Sequence, residues 1–137
     1  MAEPKTIATA TAELGETRYA TSIRTGVHAF IADEPKPEGG DTGASPFGLV
    51  LSGLGACTAI TLRMYAERKQ WPLKSVHVDL AFRWEVVGEE RRPHIERTLR
   101  LEGPLDGEQR ARIAEIAEKT PVTRALKSGI AIRTVLA

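Results

Sequence analysis

The side chain best suited to chemistry is Cys57, the single cysteine of this 137-residue chain. A cysteine thiolate is a strong nucleophile, and peroxides oxidise it to a sulfenic acid that other thiols reduce. A free cysteine packed among apolar groups instead behaves as a small hydrophobe. One cysteine cannot form a disulfide within the chain, which favours a reducing, cytoplasmic setting.

No second chemical motif accompanies this cysteine. His28, His77 and His94 stand far apart, and no cysteine or carboxylate is spaced around them as a metal site requires. The 19 basic and 18 acidic residues create no field that would recruit nucleic acid or a membrane surface. The N-terminus lacks the apolar segment of a secretory signal. We therefore expect no metal, no cofactor, no nucleic acid and no membrane as partners.

The element that positions Cys57 is predicted to be a long helix over residues 45–69. Ser45 is a good N-cap, Pro46 suits the first helical position, and the basic residues at the far end suit the negative pole of the helix. The chain is charged again from Arg63 onward, so the apolar run is too short for a membrane span, which takes about 20 residues.

The middle of this helix is apolar or small on every face. It has no charged residue between positions 47 and 62, so it must be covered all round rather than along one stripe. One stripe at helical spacing carries the thiol and predicts that it is packed: Val50, Leu54, Cys57, Thr61 and Met64. One sheet and one narrow helix cannot cover all faces, and a second copy of the chain paired by a twofold axis would cover the rest.

Alternation of β-branched and apolar residues predicts six strands around this helix. They cover residues 6–14, 18–24, 27–33, 75–87, 94–103 and 130–136. Residues 34–44, with two prolines and three glycines, are predicted to be a flexible loop. Arg97 is out of place on the apolar face of its strand, and the sequence leaves open whether it lies at an edge or points inward.

Two further helices complete the prediction. Asp106 begins one of them with Gln109 in the capping-box position, and Thr120 precedes a short helix that Gly129 closes. The order βββ-α-ββ-α-α-β contains no βαβ alternation. It predicts an α+β fold with antiparallel sheets around a long central helix, in a single domain over residues 1–137.

At this point the stretch GLGACTAITLRMYAERKQWPL, residues 53–73, resembles the OsmC/Ohr family of osmotically inducible and organic hydroperoxide resistance proteins. The Ser-Pro start of the long helix and the stretch PVTRALKSGI, residues 121–130, add to the resemblance. The resemblance implies an intertwined homodimer in which two central helices pack between curved sheets. It also implies thiol-dependent reduction of peroxides, with Cys57 as the peroxidatic cysteine.

Other positions depart from the family pattern. Thr120 stands where the family has its resolving cysteine, and it is not expected to react. Gly48 replaces the glutamate that helps to hold an activating arginine, and the loop before the helix contains no arginine. Its one cation is Lys36, a point charge on a flexible stem and a poor substitute for a guanidinium.

Two hypotheses of function follow. In the first, Cys57 reduces an organic hydroperoxide and an external thiol or dithiol reduces the sulfenic acid, with Arg63 and Arg124 as candidates for stabilising the thiolate. In the second, the protein is a catalytically degenerate member of the family. It then acts as a scaffold dimer or binds an apolar small molecule, and Cys57 is a buried structural residue.

Overall fold

The structure, a computed structural model, describes residues 3–137. It is an α+β chain with antiparallel sheets and three helices among these residues. The elements are β1 Thr11–Glu13, β2 Thr21–Thr25, β3 His28–Ala32, α1 Pro46–Lys69, β4 Ser75–Val87, β5 Glu90–Glu102, α2 Gly107–Ala117 and α3 Pro121–Ser128. The chain forms two compact units, residues 1–50 and 51–137. The single domain stays a prediction.

The first unit contains a three-stranded antiparallel sheet in the order β1-β2-β3. Gly26, in the turn between β2 and β3, has a φ of 59°, a conformation that glycine adopts without steric cost. β1 and β3 lie inside the predicted ranges and β2 ends one residue beyond its range, at Thr25, while all three strands are shorter than predicted, most clearly β1. The predicted order of these strands is confirmed.

The loop over residues 34–44 lacks helix and strand as predicted, apart from an isolated bridge between Ala32 and Ala44. Hydrogen bonds nevertheless hold its backbone, because the buried carboxylate of Asp33 accepts from the backbone amides of Glu34 and Thr42 at 2.7 and 3.0 Å. The Thr42 hydroxyl donates to the same carboxylate at 2.6 Å. No residue pattern in the sequence indicates this organising role of Asp33.

Helix α1 begins and ends as predicted, with the backbone amide of Gly48 donating to the N-cap hydroxyl of Ser45 at 3.1 Å. By length and composition only, it is the one helix of residues 3–137 that could cross a membrane. The sequence predicts a run too short for a span because its uncharged part ends before Arg63, whereas the helix continues to Lys69. Core helices pass the same test, so this property is only a weak indication of a span.

The cover of α1 differs from the prediction. Its buried residues form one stripe, Leu54, Thr58, Leu62, Tyr65 and Ala66. Within the predicted stripe only Leu54 is buried, while Cys57 is half-buried and Met64 is 63% exposed. The prediction erred because an all-round apolar helix has no hydrophobic asymmetry from which to choose the packed face. In the single chain the remaining faces are largely uncovered.

In the second unit, β4 and β5 form a two-stranded antiparallel sheet in which Ser75 pairs with Glu102 and Val87 with Glu90. The core beside it joins α1, α2 and the connecting segments through Leu62, Ala66, Leu73, Leu105, Ile113 and Ala117. Burying a leucine or isoleucine fully contributes about 1.5–3 kcal/mol. This core fixes the buried stripe of α1.

Both short helices begin as predicted. Asp106 and Gln109 form a reciprocal capping box, with bonds of 2.8 and 3.0 Å between backbone amides and side-chain oxygens. Thr120 is the N-cap of α3, and Gly129 closes that helix with a φ of 80°. These caps place Thr120 at the corner between α2 and α3.

The C-terminal strand predicted over residues 130–136 is absent, and α3 is the last regular element of the described chain. Its apolar residues are exposed, with Ile132 at 88%. Strand alternation alone does not make a strand, because the backbone also needs a neighbour to bond, and this segment has none in the single chain. The predicted order is therefore correct for its first eight elements and wrong for the ninth.

Candidate functional site

Cys57 lies in the middle of α1 with a half-buried side chain and a free thiol. Its Sγ is 4.0 Å from the hydroxyl oxygen of Thr61, one turn along the helix. Among residues 3–137, the polar contact recorded for this sulfur is with that neutral hydroxyl rather than with a cation. The sulfur is thus neither fully sealed nor paired with a fixed positive group of its own chain.

The residue beside it, Thr58, is fully buried on the packed stripe of α1. Its hydroxyl donates to the carbonyl oxygen of Leu54 at 2.7 Å, within the same helix. The same oxygen accepts a hydrogen bond of 2.9 Å from Nη1 of Arg97. The turn of helix that carries Cys57 is therefore connected by its next residue to strand β5.

Arg97 points inward and lies at the centre of a polar cluster. Its Nη1 also donates to the Thr123 hydroxyl at 2.9 Å, and its Nη2 donates to the Ala117 carbonyl at 3.0 Å and to a carboxylate oxygen of Glu118 at 2.8 Å. Its side chain is only 11% exposed. The question that the sequence left open is answered, because the planar fork joins α1 to the corner between α2 and α3.

Thr120 completes this cluster, which we call the Arg97 cluster: Thr58, Arg97, Ala117, Glu118, Thr120 and Thr123. The Thr120 hydroxyl is 2.6 Å from the Thr123 hydroxyl and accepts from the backbone amide of Thr123 at 3.2 Å. The Thr123 hydroxyl donates to the Ala117 carbonyl at 3.2 Å. Since that uses its one proton, Thr120 is the donor in the hydroxyl pair.

Glu118 closes the cluster at the surface, where its side chain is 57% exposed. Its carboxylate accepts from Nζ of Lys127 at 2.5 Å as well as from Arg97. The hydrogen bond from Lys127, and then that from Arg97, lower the pKa of Glu118 against the opposing effect of desolvation. The buried guanidinium is thereby paired with a carboxylate that remains largely in water.

The two cations proposed to stabilise the thiolate lie elsewhere. Arg63 donates to the carbonyl oxygen of Leu73 and, at 2.8 Å, to that of Lys74, and so holds the segment that follows α1. Arg124 is exposed in the first turn of α3, where its backbone amide donates to the Thr120 carbonyl at 2.9 Å. The structure does not bring either guanidinium into a recorded contact with Cys57. Lys36 is exposed in the loop of the first unit.

The second unit also contains an open groove of about 490 Å³ beside α1. Small residues of the helix and apolar residues of β4 line it, among them Gly55, Ala56, Ala59, Val76, Val78 and Leu80. Helix and strand come close here, because a Cβ on Gly55 would lie 2.9 Å from a methyl carbon of Leu80. Cys57 is not among the lining residues.

No group of His, Cys, Asp and Glu within residues 3–137 could hold a metal ion. The polar residues that sequence reasoning missed are Thr58, Glu118 and Thr123. A signal for two of them was present, since a threonine that falls on an apolar helical stripe needs a hydrogen-bond partner. The sequence could not show that Arg97 is that partner, because Arg97 is 39 residues from Thr58 and 26 residues from Thr123.

An α+β chain with a long, small-residue helix that carries a thiol, followed by an antiparallel hairpin and two short helices, defines the OsmC-like class of fold. The family model for OsmC-like proteins matches residues 39–135, and the chain belongs to this family. No curated protein sequence matches the chain.

Solved structures agree on the fold. An OsmC-like protein from Mycoplasma pneumoniae is 18% identical, with a TM-score of 0.77 over 90% of this chain and 89% of that one. An organic hydroperoxide resistance protein OsmC from Legionella pneumophila is 19% identical, with a TM-score of 0.68 over 91% and 92%. OhrB of Bacillus subtilis, also an organic hydroperoxide resistance protein, is 19% identical, with a TM-score of 0.64 over 89% and 91%.

Proposed function

We propose that this protein is a thiol peroxidase that reduces organic hydroperoxides with Cys57. The observation that carries the proposal is the half-buried thiol in the middle of α1, on a family domain whose similar structures include organic hydroperoxide resistance proteins. A thiol in this position is accessible to a small molecule and still shielded by apolar helix residues. We further propose that it works in the cytoplasm, where thiols stay reduced.

The reaction uses one cysteine. The Cys57 thiolate attacks the distal oxygen of the hydroperoxide, an S–O bond forms as the O–O bond breaks, and the leaving alkoxide takes a proton to become an alcohol. Cys57 is then a sulfenic acid. Two external thiol groups, or one dithiol, reduce it to the thiol, and the products are their disulfide and water. Thr120 takes no part, because its hydroxyl is buried and hydrogen-bonded to Thr123.

A second copy of the chain is the proposed structural partner. Ile60 and Met64, on the uncovered side of α1, are 56% and 63% exposed, and an exposed apolar face of this kind favours burial against another subunit. Light scattering should give about twice the chain mass, and Met64→Glu should shift the protein toward the monomer. Glu67→Gln on the same helix is the matched control. A stable wild-type monomer would contradict the dimer.

A binding or scaffold role is the second proposal, and the groove between α1 and β4 favours it. Together with the neutral surroundings of Cys57, the groove is what a degenerate member of the family needs to hold an apolar small molecule. On this proposal the thiol packs but does not react.

One experiment separates the two proposals. The protein is treated with cumene hydroperoxide in the presence of a dimedone reagent, and the modification at Cys57 is read by mass spectrometry. The peroxidase proposal expects a trapped sulfenic acid on Cys57, turnover that requires an added thiol or dithiol, and loss of both in Cys57→Ser. If Cys57 stays unmodified while a Thr120→Cys, Gly48→Glu variant reacts, the binding or scaffold proposal is favoured.

A further inference from the structure

The Arg97 cluster connects more of the second unit than the corner between α2 and α3. One guanidinium binds four oxygens that belong to α1, the last turn of α2, the residue after α2 and α3. No buried side-chain nitrogen or oxygen among the described residues lacks a partner. Of these four contacts, only the one to Thr58 reaches the helix that carries the thiol.

We infer that Arg97 is a positioning residue for Cys57, which it acts on through Thr58. This inference rests on the proposed function and adds a residue to it. Arg97 fixes the Thr58 turn of α1 to the α2–α3 corner, and Cys57 is the neighbouring residue of that turn. Movement of the corner relative to α1 is thereby prevented at the point where the sulfur must meet a peroxide oxygen.

The geometry makes Thr58 a good point of attachment. Its hydroxyl is held from two sides, by its own helix at Leu54 and by Arg97, so its rotamer is fixed. The Arg97 fork is in turn held by Thr123, whose hydroxyl also accepts from Thr120. Thr120 thus has a role in this chain as the outer donor that orients Thr123. A nucleophile displaced by about 1 Å loses up to about a hundredfold in rate, so this rigidity is relevant to the reaction.

The test compares two rates on one sulfur. The rates of Cys57 oxidation by cumene hydroperoxide and of Cys57 alkylation by iodoacetamide are measured on the folded full-length chain. The oxidation rate is then divided by the alkylation rate. The ratio removes changes in exposure or ionisation of the thiol, which alter both rates together. We expect Arg97→Met to lower the ratio about tenfold and Arg97→Lys to lower it less, because lysine keeps the charge but not the fork.

Arg110→Met is the matched control. Arg110 also binds several carbonyl oxygens, those of Leu101, Gly103 and Leu105, but it holds the connection between β5 and α2 and makes no recorded contact with α1. It should leave the ratio unchanged even where it lowers the unfolding temperature. A fall in the ratio in Arg110→Met equal to that in Arg97→Met would overturn the inference.

Thr58 variants test the route. Thr58→Val, which replaces the hydroxyl with a methyl group of similar size, should reproduce the effect of Arg97→Met, while Thr58→Ser should resemble the wild type. In the double variant Arg97→Met, Thr58→Val the two losses should not add, because both remove one connection. Additive losses would show that Arg97 acts by another route and would overturn the role assigned to Thr58.

Amide exchange keeps the test independent of peroxide chemistry. In Arg97→Met the amides of Cys57 and Thr58 should lose more protection than the amide of Tyr65, which lies about two turns further along the same helix. If the wild type does not react with cumene hydroperoxide, the proposed function fails, and this measurement still decides whether Arg97 holds the Cys57 turn. Uniform loss of protection along α1 would refute the inference.

Discussion

Two charged side chains, the buried Asp33 and the largely buried Arg97, organise different parts of this molecule over different distances along the chain. In the first unit, the Asp33 carboxylate collects donors from Glu34 and Thr42, at most nine residues away. In the second unit, the Arg97 guanidinium collects oxygens from residues 20 to 39 positions away. One charge orders a loop by local bonds, whereas the other joins separate helices to a strand. The cost of losing each should follow from that difference in reach.

The largest effect is expected from Arg97→Met. Methionine fills much of the volume but removes one donor each from the Thr58 hydroxyl, the Thr123 hydroxyl and the Ala117 carbonyl, and all three lie in the interior. We expect the free energy of unfolding to fall by about 2–3 kcal/mol, less than for a fully buried ion pair because Glu118 stays in water. Urea unfolding followed by circular dichroism measures it. A change below about 0.5 kcal/mol would show that the cluster is not a structural junction.

Thr120→Val should follow in size. The substitution removes the N-cap acceptor of α3 and the donor that Thr123 uses, at a fully buried position. We expect a loss of about 1–2 kcal/mol in urea unfolding, since N-cap threonines contribute about 1 kcal/mol and an unsatisfied buried group adds to this. Thr120→Ser, which keeps both hydrogen bonds, is the control and should lose less. An equal loss in both variants would mean that removing the hydroxyl costs no more than removing the methyl group, which would contradict the hydrogen-bond explanation.

The contrast between the two charges also explains what the sequence could predict. Local signals were sufficient where the interaction is local: Ser45 and Pro46 fixed the start of α1, and Asp106 with Gln109 fixed that of α2. Period-two alternation gave the full length of β4. The prediction of a strand over residues 130–136 was wrong, because a strand needs a neighbouring strand to pair with and the residue pattern does not specify one.

The candidate site was only partly accessible from the sequence. Cys57 stands out by its chemistry, and Arg97 stands out as a charge on an apolar strand face. Their connection through Thr58 depends on a contact between α1 and β5. Thr58 and Arg97 are 39 residues apart in the chain, and no local pattern encodes that contact. The packed face of α1 was misjudged for a related reason, because a helix that is apolar all round presents no preferred side.

Asp33→Asn should have a local effect. Asparagine has one acceptor oxygen where the carboxylate uses two, so its NH₂ group must face a donor. We expect the amides of Glu34 and Thr42 to lose exchange protection in this variant, while the global unfolding midpoint moves less than in Arg97→Met. A global loss equal to that of Arg97→Met would break the comparison between local and long-range charges.

Acid should reproduce this local effect in the wild type. The hydroxyl of Thr42 first, and then the backbone amides, hold the pKa of Asp33 below its usual value of 3.8. A lowered pKa in the folded state means that the contribution is fully present above that value and is lost as the pH falls through the folded-state pKa. Loop amide protection should therefore stay constant from pH 7 to about pH 4 and decline below it, and Asp33→Asn should abolish that decline.

Glu118→Gln should have the smallest effect and sharpens the comparison most. Glu118 contacts the same guanidinium as Thr58 and Thr123, yet its side chain is 57% exposed and that of Lys127 is 61% exposed. Exposed ion pairs contribute less than about 1 kcal/mol and are screened by salt, so the loss in urea unfolding should be below that and shrink further in 1 M salt. Lys127→Met is the companion control and should behave alike. If Glu118→Gln instead matched Arg97→Met, the junction would depend on neutralising a charge rather than on the buried oxygens that the fork joins.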